Sequence, residues 1–291
     1  MKITFIGVGS AFTLPANNKE ELDLNKCDWQ SNLMVTANSG KKMLIDCGSD
    51  IRFALAQQGI FPAQYPEHID AIYISHLHGD HVGGVETVSF CNYFNPNKKT
   101  IKLYCVKPVM DDIWDTLKGA LATIQGKVMT LTDYFEKNTV QKNNSFFWEG
   151  IRFTPIQTVH VRSGACIKFS FGLLIQELDN DTRTIVSKSA SGVMKSIGDM
   201  AKSSKPLIFF TSDTQACPSD LKDFYKPAHT IFHDCETGFQ SGVHSHFLEL
   251  EKYAPEIKEK MYLYHYQPHP KQDAVASGFR GFITKGQVFE F

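Results

Sequence analysis

Short apolar runs broken by turn residues set the rhythm of this chain, and several of them end on a histidine or an aspartate. Residues 2–8 are β-rich and meet Gly7 and Gly9, which predicts a strand running into a turn. Residues 33–37 and 42–45 flank Asn38-Ser39-Gly40, a hairpin signal. Residues 51–58 carry Ile51, Phe53, Ala54 and Leu55 and predict a helix that stops at Gly59. The apolar run 69–74 predicts a buried strand, 82–90 a helix, 101–106 a strand and 108–121 a helix.

The second half repeats the theme. Residues 150–159 predict a strand ending on His160, and 168–175 predict another. Residues 207–210 lead into Thr211-Ser212-Asp213-Thr214, 230–232 into His233-Asp234-Cys235-Glu236, and 261–264 into His265. Residues 179–181 read as a turn, and the Ser/Lys-rich stretch 187–204 as an exposed helix and loop. No internal repeat or linker interrupts the pattern. It predicts one α/β domain over residues 1–291, with two stacked sheets and outer helices.

Composition narrows the classes without choosing one. Hydrophobic residues make up 42% and charged residues 21%, as in a globular enzyme. A formal net charge of −1 supplies no overall electrostatic footprint for nucleic acid. Seven cysteines, with no CxxC pair, read as buried or free thiols in a reducing compartment. The apolar stretch near the start is short and broken by Gly7 and Gly9, unlike a signal peptide. No segment is long and apolar enough to span a bilayer, so the expected location is cytoplasmic. Gly7-Val8-Gly9 invites a dinucleotide-binding reading, but the third glycine of that fingerprint would fall at Phe12.

Candidate chemistry concentrates in Ser75-His76-Leu77-His78-Gly79-Asp80-His81, directly after an apolar run. Imidazole nitrogen and carboxylate oxygen are the donors zinc takes, and one tight loop can aim alternate side chains at two ions. This HxHxDH loop resembles that of the metallo-β-lactamase superfamily, whose fold is an αββα sandwich of two mixed β-sheets flanked by helices. The resemblance implies that His76, His78 and His160 hold one zinc, and that Asp80, His81 and His265 hold a second, with Asp213 bridging. Asp46 matches a position that supports the ligands from behind. His229 and His233 compete for ligand roles, and His269 lies in a Pro-flanked loop.

Two further segments, His233-Asp234-Cys235-Glu236-Thr237 and Gly242-Val243-His244-Ser245-His246, resemble motifs of the tRNase Z branch. There a carboxylate orients a histidine beside the leaving group. By that resemblance Asp234 is the carboxylate and His244 the general acid, with His246 as the competing choice, while Asp80 joins them in catalysis. A bland alternative makes this stretch a solvated loop before a helix at 247–253, with Ser245 as its cap. The Gly- and Lys-containing arm by which tRNase Z grips tRNA is not found; residues 161–205 mix basic and acidic side chains. The combination looks like the phage anti-Pycsar phosphodiesterases. It implies a homodimer with two Zn2+ per chain (Mn2+ or Fe2+ as alternatives) that hydrolyses 3′,5′-cyclic nucleotides, cyclic CMP and cyclic UMP included. The rival expectation is a tRNA 3′-end endonuclease. Phe90, Tyr93 and Phe94 are candidates to stack the nucleobase.

Overall fold

The computed structural model describes residues 1–11, 23–141, 144–178, 198 and 200–291. The expected turn at 179–181 and nearly all of 187–199 lie outside them. The chain forms two compact units, one built mainly on Asp28–Gln141 and the other mainly on Lys142–Thr284.

In the first unit, β1 (Lys2–Gly7), β2 (Asn32–Thr36), β3 (Lys42–Ile45), β4 (Ala71–Tyr73) and β5 (Ile101–Val106) lie side by side in chain order. The small pair β6 (Thr123–Ile124) and β7 (Lys127–Val128) stands apart, and β8 (Phe135–Val140) adds to β5. β1, β2 and β3 pair antiparallel, as the Asn38-Ser39-Gly40 turn signal requires, and β3, β4, β5 and β8 pair parallel. Parallel neighbours need crossovers, which Ile51–Gln57 and Lys107–Leu121 help to supply. The latter buries Val109, Ile113, Leu117 and Leu121, one residue per turn on one face. Every residue of β4 is buried, which explains why its segment reads as continuously apolar.

In the second unit, β9 (Phe146–Trp148), β10 (Ile151–Ser163), β11 (Cys166–Glu177) and β12 (Ile208–Phe210) pair antiparallel. β13 (Thr230–Asp234), β14 (Met261–Tyr264) and β15 (Gly281–Phe282) continue the sheet in parallel with β12. One face carries a core of Phe209, Ile231, Met261 and Leu263 packed with Leu221, Tyr225, Phe247 and Leu250. Because β12, β13 and β14 are parallel and in register, their C-terminal ends deliver Asp213, Asp234 and His265 at one rim. That is where parallel sheets place their reactive loops. The last strand, β16 (Val288–Glu290), returns to the first unit and pairs antiparallel with β1.

Three expectations shift. The helix expected at 82–90 splits into Gly79–Val82 and Val85–Tyr93 at Gly83-Gly84, where a Cβ on Gly84 would meet the Gly48 carbonyl oxygen at 2.1 Å. The strand expected to end at His160 runs on to Ser163, and the register slips between Val159 and Val161. His160 is therefore the extra residue of a bulge rather than a strand terminus. Residues 247–253 make only the short helix Phe247–Leu250, capped by His246 rather than Ser245. The predicted architecture of two large mixed sheets with helices holds.

A close backbone approach ties fold to site. A Cβ on Gly172 in β11 would meet the Thr211 and Phe210 carbonyl oxygens at 2.4 and 2.5 Å. Gly172→Ala is expected to cost about 1–3 kcal/mol as an overpacked change, read as a lowered urea midpoint with unchanged slope.

Candidate metal centre

The loop after β4 is organised from behind by Asp46. Its Oδ1 accepts the Ser75 backbone N–H (2.8 Å), and its Oδ2 accepts the Ser75 hydroxyl (2.8 Å) and His81 Nδ1 (2.8 Å). Hydrogen counting then fixes two imidazoles. Ser75 spends its only hydroxyl hydrogen on Asp46, so its contact with His76 Nδ1 at 3.0 Å makes that nitrogen the donor. His81 Nδ1 likewise donates to a carboxylate. Both rings are thereby left with Nε2 as the lone-pair atom, the form a metal ligand needs. His76 Nε2 lies 3.1 Å from His78 Nδ1, and His81 Nε2 lies 3.3 Å from Asp80 Oδ2. His76, Asp80 and His81 are buried and His78 half-buried.

The second unit supplies its own donors. His160 Nδ1 donates to the Val243 carbonyl (3.0 Å), which turns Nε2 toward Asp213 Oδ2 at 3.4 Å. His265 Nε2 lies 3.5 Å from Asp213 Oδ1, and its Nδ1 lies 3.4 Å from Asp234 Oδ1. All four side chains are buried. Burial lowers the pKa of His160 against the pull of Asp213, so it stays a neutral imidazole near pH 7.

These spacings test the fit to a metal. Donors at about 2.1 Å from a tetrahedral ion stand about 3.4 Å apart. The nitrogen–oxygen pairs at 3.3–3.5 Å match that figure and are long for hydrogen bonds. Nitrogen and oxygen donors with tied-back second nitrogens suit zinc and, equally, other borderline divalent ions. The residues present fit a divalent metal.

Asp234 also gives His244 surroundings that His246 does not share. Its Oδ2 accepts the Thr214 N–H (2.9 Å) and His244 Nδ1 (2.9 Å). Burial opposes the His244 cation, but Asp234, through charge and hydrogen bond, and then Asp213 and Glu236 outweigh it and raise its pKa to about 10. His246 is spent elsewhere: Nδ1 accepts the Leu248 N–H at 3.3 Å and Nε2 donates to the Gly238 carbonyl at 3.2 Å. His233 is spent too, donating from Nδ1 to the Asp234 carbonyl and accepting the Tyr225 hydroxyl at Nε2, each at 2.7 Å. His229 is exposed and accepts the Leu207 N–H at 3.0 Å.

Sequence reasoning missed the backbone that aims these groups. Asp46, Ser212 and His265 adopt left-handed φ values of 63°, 52° and 65°. Each sits just beyond a strand, where non-glycine residues in that region cost of order 1–3 kcal/mol. Thr211 was also missed; its hydroxyl accepts the Asp234 N–H at 3.0 Å. Polar residues around the strand ends were the only available signal.

Removing the relay should loosen the metal. Asp46→Ala is expected to weaken zinc affinity about 10–100-fold, measured by competition with a chromophoric chelator. Wild-type affinity in the variant would refute the relay.

The family model described as Anti-Pycsar protein Apyc1 matches residues 1–289. Anti-Pycsar protein Apyc1 of Bacillus phage vB_BveM-Goe7 is 27% identical, over 98% of this chain and 96% of that one. The metallo-β-lactamase fold protein YhfI from Bacillus subtilis superposes with a TM-score of 0.64 at 17% identity, covering 99% of this chain and 98% of that one. The short form of human tRNase Z does so at 0.60 and 18%, covering 100% and 99%. The fold is the metallo-β-lactamase fold, and by the match along nearly its whole length the chain belongs to the Anti-Pycsar protein Apyc1 family.

Proposed function

We propose that this chain is a dinuclear zinc phosphodiesterase that hydrolyses 3′,5′-cyclic nucleotides, cyclic CMP and cyclic UMP among them, to nucleoside monophosphates. In this reading it is a homodimeric counter-defence enzyme that removes cyclic-nucleotide immune signals in the host cytoplasm. No helix among the described residues is long and apolar enough to cross a membrane. The relatives' name, anti-Pycsar, supports the biological setting.

The observation that carries the reaction type is the Asp234–His244 pair at 2.9 Å. A phosphodiester expels an alkoxide, which needs a proton as it leaves. A thioester expels a thiolate, a far better leaving group, and has less need of a second histidine held by its own carboxylate. His244 carries that proton on Nε2 while Nδ1 stays on Asp234, so the ring is oriented and charged before the bond breaks.

His76, His78 and His160 would hold one metal and Asp80, His81 and His265 the other, with Asp213 shared between them. When bound, the metal pair supplies Lewis-acid charge for the phosphate and lowers the pKa of water toward neutrality. Asp80 would help to hold the second metal and, in this reading, take up the proton that the attacking water gives up. Asp213 turns its two oxygens to different histidines, His160 and His265, so a single carboxylate could serve both donor groups.

Two measurements test this. Turnover of cyclic CMP, UMP, AMP and GMP should accompany about two zinc ions per chain on the same sample; cleavage of precursor tRNA without cyclic-nucleotide turnover would instead establish a tRNA-processing enzyme. His244→Ala should lower kcat about 10²–10⁴-fold at unchanged metal content. His246→Ala should keep most of the turnover and lose about 0.5–2 kcal/mol of stability with its helix cap. The opposite pattern would reverse the assignment.

A further inference from the structure

The segment between Asp234 and His244 holds an unusual side chain. Phe239 is 87% exposed, more than any other large hydrophobic side chain among the described residues. An aromatic ring in water is ordinary on a loose loop, which can fold it away. This loop is not loose. Gln267 Oε1 accepts the backbone N–H of both Thr237 (2.7 Å) and Gly238 (2.9 Å), and Gln272 Nε2 donates to the Thr237 carbonyl (2.8 Å). His246 Nε2 holds the Gly238 carbonyl from below. On the far side Ser241 N donates to Glu236 Oε2 (2.7 Å), and Gln215 Nε2 donates to the Gly242 carbonyl (2.6 Å).

The loop is therefore pinned on both sides of Phe239 by side chains from outside or from its base, which leaves the ring displayed on a fixed backbone. Its base is continuous with the chemistry. Asp234 and Glu236 enter it, and His244 leaves it. The Val243 carbonyl orients His160. A backbone pinned within five residues of His244 has its share of the ordering entropy already lost before a ligand arrives, leaving only the ring's own rotation to be fixed. Flat π-faces are what nucleobases stack on, and stacking tolerates every base because every base has such a face.

We propose that Phe239 is the stacking platform for the nucleobase of the substrate, a positioning residue that sets affinity for nucleotides without choosing among bases. The assignment rests on the cyclic-nucleotide reading above. It replaces none of the chemistry, because the phosphate and the leaving oxygen are handled by other groups. The cluster of Phe90, Tyr93 and Phe94 fits the role less well, since its rings already pack on one another and on Tyr134.

Steady-state kinetics of the zinc-loaded enzyme decide it, with cyclic CMP, cyclic AMP and a base-free diester, the 3′,5′-cyclic phosphate of a ribose lacking its base, as substrates. Phe239→Ala should raise KM for both cyclic nucleotides about tenfold or more, with kcat within a few-fold and with hydrolysis of the base-free diester unchanged. Phe239→Trp should restore KM. Light scattering should give the same mass for wild type and variants. An equal loss on all three substrates, an unchanged KM for the cyclic nucleotides, or a drop in mass would overturn the platform, the last making Phe239 a contact between copies. If wild type cleaves the base-free diester but no cyclic nucleotide, the functional reading itself fails and this assignment with it. Turnover of cyclic nucleotides by a Phe239→Ala variant indistinguishable from wild type removes the platform alone.

Discussion

One buried carboxylate organises the candidate ligands of the first unit. Asp46 stands just beyond β3, and its backbone N–H is bonded to the Tyr73 carbonyl of the neighbouring β4. The parallel pairing of two short strands thus sets a carboxylate beneath the loop that carries four candidate ligands. Burying that charge is costly unless hydrogen bonds replace water, and three donors do so. Those donors belong to Ser75 and His81, so the carboxylate's own solvation orders the loop. Its further consequence, through the Ser75 hydroxyl, is the tautomer of His76. A single residue with no contact to an ion would therefore govern how two histidines present themselves.

Asp234 repeats the device in the other unit with a different outcome. It too is buried at a strand end and takes a backbone N–H, here from Thr214, together with a histidine Nδ1. Its second oxygen lies toward His265. Where Asp46 leaves neutral lone pairs, Asp234, aided by Asp213, favours an added proton on His244. By linkage, the His244 contribution to stability is fully present below its unfolded pKa near 6.5 and is lost as pH rises through about 10.

The sequence made some of this legible and hid the rest for physical reasons. The loop at 76–81 was readable because its donors are nearly contiguous, and β14 could be placed because an unbroken run of large residues, Met261–Tyr264, ends cleanly at His265. His160 was located but given the wrong setting. A bulge depends on the partner strand's register, which local pattern does not contain. His244 and His246 could not be separated because they stand two apart in a loop, and only the hydrogen bonds to Asp234 and Gly238 tell them apart. β8, β9, β15 and β16 escaped notice because edge or very short strands carry too few alternating positions to register.

The strained residues show what holds this arrangement in place. Asp46, Ser212 and His265 each occupy a backbone region that side chains disfavour, and each follows a strand, namely β3, β12 and β14. A strand end fixed by neighbours on both sides can enforce such a turn, whereas a free loop would relax out of it. β3 lies between β2 and β4, β12 between β11 and β13, and β14 between β13 and β15. All three are interior strands. The reactive groups are thus aimed by backbone that opposes folding locally and is sustained by the most completely paired parts of each sheet. Substitutions inside those strands should therefore reach the chemistry through backbone direction, even where they touch no candidate ligand.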